Sequence, residues 1–440
     1  MTINIPASDK KRIVIVGGGF AGLTLARKLS NKDFQIVLID KNNYHQFQPL
    51  FYQVAMSGLE PSSIVFPLRK LFQYQKNVFI RMAEVQSVDA DTHTIHTSIG
   101  DLQYDYLVLA MGTETNFFGN EEIAGRAIPM KSVAEALYLR NRILNDYEKA
   151  LTTDDYDERQ GLLDIVVVGG GPTGVEVAGS LAEMKKFILP KDYPELNIAE
   201  IDIHLIEGAP RVLNPMSEQA SAKAHRFLSE LDVKIKLNTY VTAFDGKWVH
   251  MNDNTKLRAN KVIWAAGVRG AKIEGFSKDL IASGNRIKVN RFNQIEGYNN
   301  IFAIGDVAFM TEEKYPKGQP QVAQVAIQQA NHLVKNLSLL QKRQTLKPFS
   351  YYDKGSMATI GRHLAVVDLP FWRFQGAFAW FVWMFVHLFT LLGVKNKLFV
   401  FINWVWNYFT YDQSLRLIIR PKVPKVISEN VPLAEEVIQH

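Results

Sequence analysis

The chain of 440 residues has no cysteine. That absence excludes structural disulfides, thiolate metal sites and iron–sulfur ligation. It also has no long basic run and no zinc-ligand spacing, so no nucleic-acid partner and no metal centre are expected. Charged residues are only 21% of the chain against 47% apolar, a balance that belongs to a globular protein and not to a disordered one. The net charge of +6 is modest and spread out, which serves solubility over most of the surface. The length allows two or three domains and a large core. The first strand is expected to begin near Lys11. That leaves no room for a signal or transit peptide and predicts a protein facing the cytosol.

What the chain does have is one phosphate-binding device in two copies. The first runs Arg12-Ile-Val-Ile-Val-Gly17-Gly-Gly19-Phe20-Ala21-Gly22, and Asp40 closes the next apolar run, Gln35-Ile-Val-Leu-Ile. The second runs Asp164-Ile-Val-Val-Val-Gly169-Gly-Gly171-Pro-Thr173-Gly174, and Glu207 closes Ile201-Asp-Ile-His-Leu-Ile. In such a loop the first glycine turns the chain out of the strand. The second lets backbone approach a pyrophosphate, and the third lets the helix pack on the sheet. The phosphates then sit on the helix N-terminus, where unpaired N–H groups and the dipole favour negative charge. The acid after the next strand accepts from the ribose hydroxyls. Strand, loop, helix, strand and acid agree in both copies, which a glycine-rich turn would not achieve alone. One copy implies a bound dinucleotide; two imply electron exchange between two of them.

Strands and helices alternate to about residue 340, which predicts an α/β fold with parallel sheets covered by helices. Tyr106-Leu-Val-Leu-Ala110-Met-Gly112 reads as a buried strand ending in a small-residue turn, and Lys261-Val-Ile-Trp-Ala265-Ala266-Gly267 is its counterpart. The recurrence marks two nucleotide-binding units of similar construction. A third such strand delivers Asp306, after Gly305, to a turn where its carboxylate can accept from a ribityl hydroxyl. The charged stretch from Asp146 to Arg159 reads as an exposed, solvated boundary segment.

Taken together, these motifs resemble the two-dinucleotide-binding-domain flavoproteins. Asn43-Tyr-His45-Gln-Phe47-Gln-Pro49-Leu50-Phe-Tyr and Gln321-Val-Ala323-Gln324-Val-Ala326-Ile-Gln328-Gln329 narrow the resemblance to the type II NADH dehydrogenases, single-subunit NADH:quinone oxidoreductases. It covers essentially the whole chain. It implies two Rossmann-like domains in a glutathione-reductase-like flavoprotein architecture, plus a C-terminal membrane-anchoring helical region. The expected division is 1–120 with 276–349 for FAD, 121–275 for NADH, and 350–440 for anchoring and possible dimerisation. FAD would be resident and non-covalent, with NADH as substrate. The missing cysteines exclude the redox-active pair by which many relatives reduce a disulfide, and they disfavour a sulfide:quinone enzyme.

Glu207, where a basic residue would serve a 2′-phosphate, favours NADH over NADPH, with Arg211 softening that preference. Glu176 lies in the first turn of the second fingerprint helix. By resemblance it reaches the nicotinamide amide and the flavin; a solvated helix glutamate is the plain alternative. Gln324 and Gln328, four apart, share one face of a helix expected over Pro320–Leu340. Buried amides need partners, so a cofactor edge or a quinone carbonyl is their expected destination, as the resemblance also implies. Ordinary surface polarity is the competing reading. Cofactor contacts are expected from Gly17, Gly19, Phe20, Ala21, Gly22, Asp40, Lys41, Ala110, Gly112, Gly169, Gly171, Thr173, Gly174, Glu207, Ala266, Gly267, Gly305, Asp306 and Gln324, with Lys354 a further neighbour of the flavin.

Gly376–Val394 is almost uninterrupted apolar and aromatic sequence, at the lower edge of the about 17–25 residues that span a bilayer. Beyond it Asn396, Asn403, Asn407, Thr410 and Ser414 form one polar face, with Leu398, Phe401, Trp404, Val405, Tyr408 and Phe409 on the rest. That pattern predicts an amphipathic helix lying in the membrane interface, aided by Lys395, Lys397, Arg416, Arg420, Lys422 and Lys425. A monotopic anchor on the cytoplasmic face of a bacterial inner membrane is expected, with lipid contact and a homodimer; a spanning helix and a buried dimer interface compete with it. The expected function is non-pumping reduction of a membrane quinone by NADH. A soluble NAD(P)H-dependent reductase of an electron-carrier protein is the alternative.

Overall fold

The computed structural model describes residues 2–410 and 415–419. The helices that frame the sites are α1 (Phe20–Leu29), α2 (Pro172–Phe187), α3 (Ala323–Gln341), α4 (Ala377–Thr390) and α5 (Val394–Thr410). Two compact units form. The first gathers the described residues to Phe47, then Val65–Asn116 and Val268–Gly355; the second gathers Gln48–Ile64, Phe117–Gly267 and the described residues from Ser356 on.

In the first unit a five-stranded parallel sheet runs in the order Ile301–Ala303, Tyr106–Leu109, Arg12–Val16, Gln35–Asp40, Val78–Met82. Its central strands are continuous β-branched and leucine runs, buried on both faces as parallel sheets require. Helices α1 and α3 pack against each other. The second unit repeats the plan with Ile128–Pro129, Val262–Trp264, Ile165–Val168, Ile203–Ile206 and Val233–Lys236, again all parallel. In each sheet the fingerprint strand is central, so each glycine loop leaves the carboxyl edge where such folds bind ligands. The expected α/β architecture of two Rossmann-like units is therefore present.

Several stretches are grouped unlike the expected division, and two of them are more than a boundary shift. Residues 48–64 pack with the second unit, and so does the described C-terminal region, which does not stand alone. The reason lies in helix α2, which rests on strand Ser356–Gly361 of a three-stranded antiparallel sheet. A Cβ on Gly179 would lie 1.6 Å from the carbonyl oxygen of Ile360, so only glycine permits that approach. Asp368 of the same sheet accepts from the Ser217 backbone N–H at 2.6 Å and from its hydroxyl at 2.9 Å.

The stretch from Asp146 to Arg159 is not all solvated. Asp146 is buried and accepts from the fully buried Lys261 ammonium at 3.1 Å and from Arg142 at 3.1 Å. A buried ammonium needs such a partner, which the local charge run did not reveal.

No helix among the described residues is long and apolar enough to cross a membrane. The apolar run from Gly376 yields a helix of only 14 residues, α4. The polar face of α5 exists but is turned inward. Asn396 donates to the carbonyls of Ser62 and Ser63, Asn407 to that of Gly58, and the Trp404 indole to the Gln53 carboxamide at 2.7 Å. Trp404, expected on the apolar face, is consequently buried, while Leu398, Phe401, Ile402, Trp406 and Phe409 point outward. Arg416 pairs with Asp192. Ser414, Arg420, Lys422 and Lys425 lie outside the described residues.

Candidate active site

The two cradles are built alike. A Cβ on Gly17 would meet the Ala110 carbonyl at 2.4 Å, and one on Gly169 the Ala265 carbonyl at 2.5 Å, with Ala266 beside it. Each glycine loop is thus pressed against the small-residue turn of the neighbouring strand. Gly22 and Gly174 each lie where a Cβ would be 1.8 Å from the carbonyl oxygen of the loop's first glycine. Above the loops there is open space: a Cβ at Gly19, Gly171 or Gly112 meets nothing within 4 Å. The N-caps Gly19 and Gly171 supply no side-chain cap to α1 and α2. Uncapped N–H groups at the head of a helix, under open space, fit a pyrophosphate. That fit holds for both dinucleotides.

Asp40 accepts from the Gly18 N–H at 2.6 Å and the Asn42 N–H at 2.6 Å. Glu207 repeats this with Gly170 and, at 2.7 Å, Ala209. Both acids are therefore fixed at the loop. The Gly18 carbonyl is also held, by the His45 ring at 2.9 Å, and Phe20 meets His45 and Phe47 edge to face. The Gly305–Asp306 turn closes the first cradle: a Cβ on Gly305 would touch Ala21 and Ala326, and its N–H donates to Gln329 at 2.7 Å. Lys41 and Thr173 are exposed, Thr173 in the first turn of α2. Gly267 lies under Phe118. Arg211 donates to Asn214, to its side chain at 3.1 Å and to its carbonyl at 3.0 Å.

Gln324 and Gln328 do share a face of α3, which begins at Ala323 and not at Pro320. Their amides are satisfied by backbone. Gln324 donates to Gly355 at 3.0 Å and accepts from Lys354 at 3.1 Å; Gln328 donates to Tyr352 at 2.8 Å and accepts from it at 3.1 Å. The pair pins residues 352–355, leaving the Lys354 side chain exposed. Glu176 keeps an edge of its side chain at the surface, yet neighbours crowd the carboxyl. Desolvation pushes its pKa up to about 8 against the Thr359 N–H, which pulls it down.

Sequence reading passed over several residues that now matter. Gln329, which only closed the second family motif, joins Gly305 to Gln319, and Gln321 donates to the Asp306 carbonyl at 3.0 Å. Glu183 and Tyr52 line a cavity of about 130 Å³ in the second unit, together with Ser180, Arg362, Trp404 and Tyr408. Tyr52 ends the first family motif, while the sequence signal of Glu183 is its spacing: it lies seven residues, two helical turns, after Glu176. Asp164, Asp202 and His204 group closely enough to ligate a metal, but Lys234 pairs with Asp202 and cations already surround the cluster.

Paired dinucleotide cradles on two parallel sheets define a two-dinucleotide oxidoreductase. Residues 11–330 match the family model described as pyridine nucleotide-disulphide oxidoreductase, and residues 353–411 that of the NDH2 C-terminal domain. The chain is 37% identical over 412 residues to the type II NADH:quinone oxidoreductase NdhA of Mycobacterium tuberculosis, covering 90% of this chain and 86% of that protein. It is 30% identical to the type II NADH:quinone oxidoreductase of Staphylococcus saprophyticus, over 81% and 89% of the two chains. The structure of NDH2 from Plasmodium falciparum in complex with NADH superposes with a TM-score of 0.85 at 24% identity, covering 93% of this chain and 100% of that one, a likeness of fold. The chain belongs to the type II NADH:quinone oxidoreductases. It is an oxidoreductase that takes electrons from NADH and reduces a quinone, and it has no cysteine with which to reduce a disulfide.

Proposed function

We propose that the first cradle holds a resident FAD, that the second receives NADH, and that the electrons go to a quinone dissolved in the membrane on which α4 and α5 rest. The observation that carries this reading is the outward apolar face of α4 and α5 on the compact unit that also bears the second cradle. A soluble reductase of a carrier protein would have no use for it. Bound FAD supplies a two-electron carrier that takes hydride from NADH and passes electrons to the quinone. The chain's residues do the rest. Asp40, Asp306 and the head of α1 hold the flavin; Glu207 and the head of α2 hold NADH through a free 2′-hydroxyl. Glu176 orients the nicotinamide carboxamide, and Gln324 and Gln328 meet the quinone edge. The enzyme works as a monotopic homodimer on the cytoplasmic face of a bacterial inner membrane and needs no nucleic acid. Among the described residues no spanning helix offers protons a route, so turnover moves none across the bilayer.

Purified protein is expected to be yellow, to bleach with NADH and to recolour with a soluble quinone analogue. Recolouring by a small carrier protein but not by quinone would give the soluble-reductase reading the better claim. Gln324→Ala with Gln328→Ala should slow recolouring and leave bleaching unchanged. Equal loss in both half-reactions, seen by stopped flow, would reduce the glutamines to pins of residues 352–355.

A further inference from the structure

Gln319 and Gln329 are both buried in the first unit, so each amide needs a partner at its oxygen and at its nitrogen. They find them in series. The Gly305 N–H donates to the Gln329 oxygen at 2.7 Å, and the Gln329 nitrogen donates to the Gln319 oxygen at 2.8 Å. The Gln319 nitrogen then donates to the Glu312 carboxylate, with Met310 Sδ 3.4 Å away.

The direction of this row is set at its two ends. A backbone N–H only donates and a carboxylate only accepts, so the two amides between them have a single satisfying arrangement. Turning either amide over would set oxygen against oxygen or N–H against N–H. The backbone of Gln319 is tied separately. Its N–H donates to the Met310 carbonyl at 2.9 Å, and its carbonyl accepts from the buried Arg286 at 2.9 Å. Arg286 also holds the Ala308 carbonyl, at 3.0 Å and 2.5 Å. Only the amide of Gln319 is therefore left for Glu312 to orient.

We propose that Glu312 is a positioning residue for the flavin turn. Through Gln319 and Gln329 its carboxylate fixes the hydrogen bond that holds Gly305, and with it the place of the Asp306 carboxylate. The inference rests on the reading that the first cradle holds FAD. Gly305 has a φ of +73°, and Asp306 follows it directly, so a shift of that N–H is passed on to the acid. Glu312 suits the task because its side chain is only 10% exposed, with the Arg291 guanidinium 3.6 Å away to balance its charge. The Tyr351 N–H approaches the same carboxylate at 3.4 Å, and Tyr315 pairs with the Glu312 backbone.

The test moves the carboxylate along the row. The dissociation constant of FAD is read from the fluorescence of released flavin in Gln319→Glu and in Glu312→Gln with Gln319→Glu. In the single variant two carboxyls meet, and the row closes only while they share a proton. Relative to parent at the same pH, its FAD affinity should be near normal at about pH 5.5 and on the order of 10²-fold weaker at about pH 9. In the double variant the new amide donates to the new carboxylate, which still accepts from Gln329. Its affinity should stay within about threefold of parent at both pH values. A loss in Gln319→Glu that does not change with pH, or a double variant no better than the single one at high pH, would overturn the proposal. Should Gln319→Glu not fold, Glu312→Gln and Glu312→Leu decide. The amide can still accept, so Glu312→Gln should bind FAD about as parent does and Glu312→Leu about tenfold more weakly; equal affinity in the two would overturn the proposal. A parent protein that is colourless, or that stays yellow after Gly22→Ala, would instead overturn the placement of FAD in the first cradle.

Discussion

Gly22→Ala is expected to give a colourless protein, and Gly174→Ala a yellow one that NADH no longer bleaches. In each variant the new methyl carbon would lie 1.8 Å from a backbone carbonyl oxygen, far inside any real contact. A carbonyl cannot swing away as a lysine tip could, so the head of the helix must move by on the order of 1 Å. The uncapped N–H groups then no longer converge on the pyrophosphate, and a displacement of that size costs about 10²-fold. For a resident cofactor this means loss during purification; for a substrate it means a KM raised by about that factor. The difference in colour assigns the cradles. A yellow Gly22→Ala protein beside a colourless Gly174→Ala one would exchange their assignments.

The second large effect concerns the membrane. Phe385, Phe389, Trp406 and Phe409 are 63%, 70%, 58% and 76% exposed, and each pair shares one helix face. Burying one such side chain is worth about 1.5–3 kcal/mol, so four give about 6–12 kcal/mol. Lys395 and Lys397 add only about 1 kcal/mol each on an anionic surface. The aromatic contribution is therefore decisive, and high salt alone should leave the protein bound. Replacing all four aromatics with aspartate should move it to the soluble fraction, since about 6 kcal/mol is already more than 10⁴-fold. Reduction of a water-soluble quinone should persist, because none of the four lines the cavity or either cradle. A variant that remains in the pellet and still turns over would point to contacts beyond α4 and α5.

These residues also divide what local sequence reveals from what it hides. The glycine loops were legible because each glycine answers a constraint within a few residues of itself. The acids Asp40 and Glu207 were legible because they end the very next strand. The inward polar face of α5 was not. Its period was plain, but its partners, the carbonyls of Gly58, Ser62 and Ser63, lie more than three hundred residues earlier. Asp146 looked solvated among its neighbours in sequence, while Lys261, 115 residues away, draws it inside. Gln324 and Gln328 were placed on the right face, yet amide chemistry alone could not choose between a ligand and the backbone of 352–355. Glu183 resembled any helix glutamate until a strand from the far end of the chain closed over it.

Gly179 carries a consequence for how the protein can be cut. The helix that heads the second cradle touches Ile360 with no side chain between them, so the surface it uses there was never made to meet water. A chain shortened to end at Gly355 would not be a soluble catalytic half freed from its anchor. It would be a nucleotide domain missing one wall, and the part proposed to meet the lipid is also the part that completes the fold.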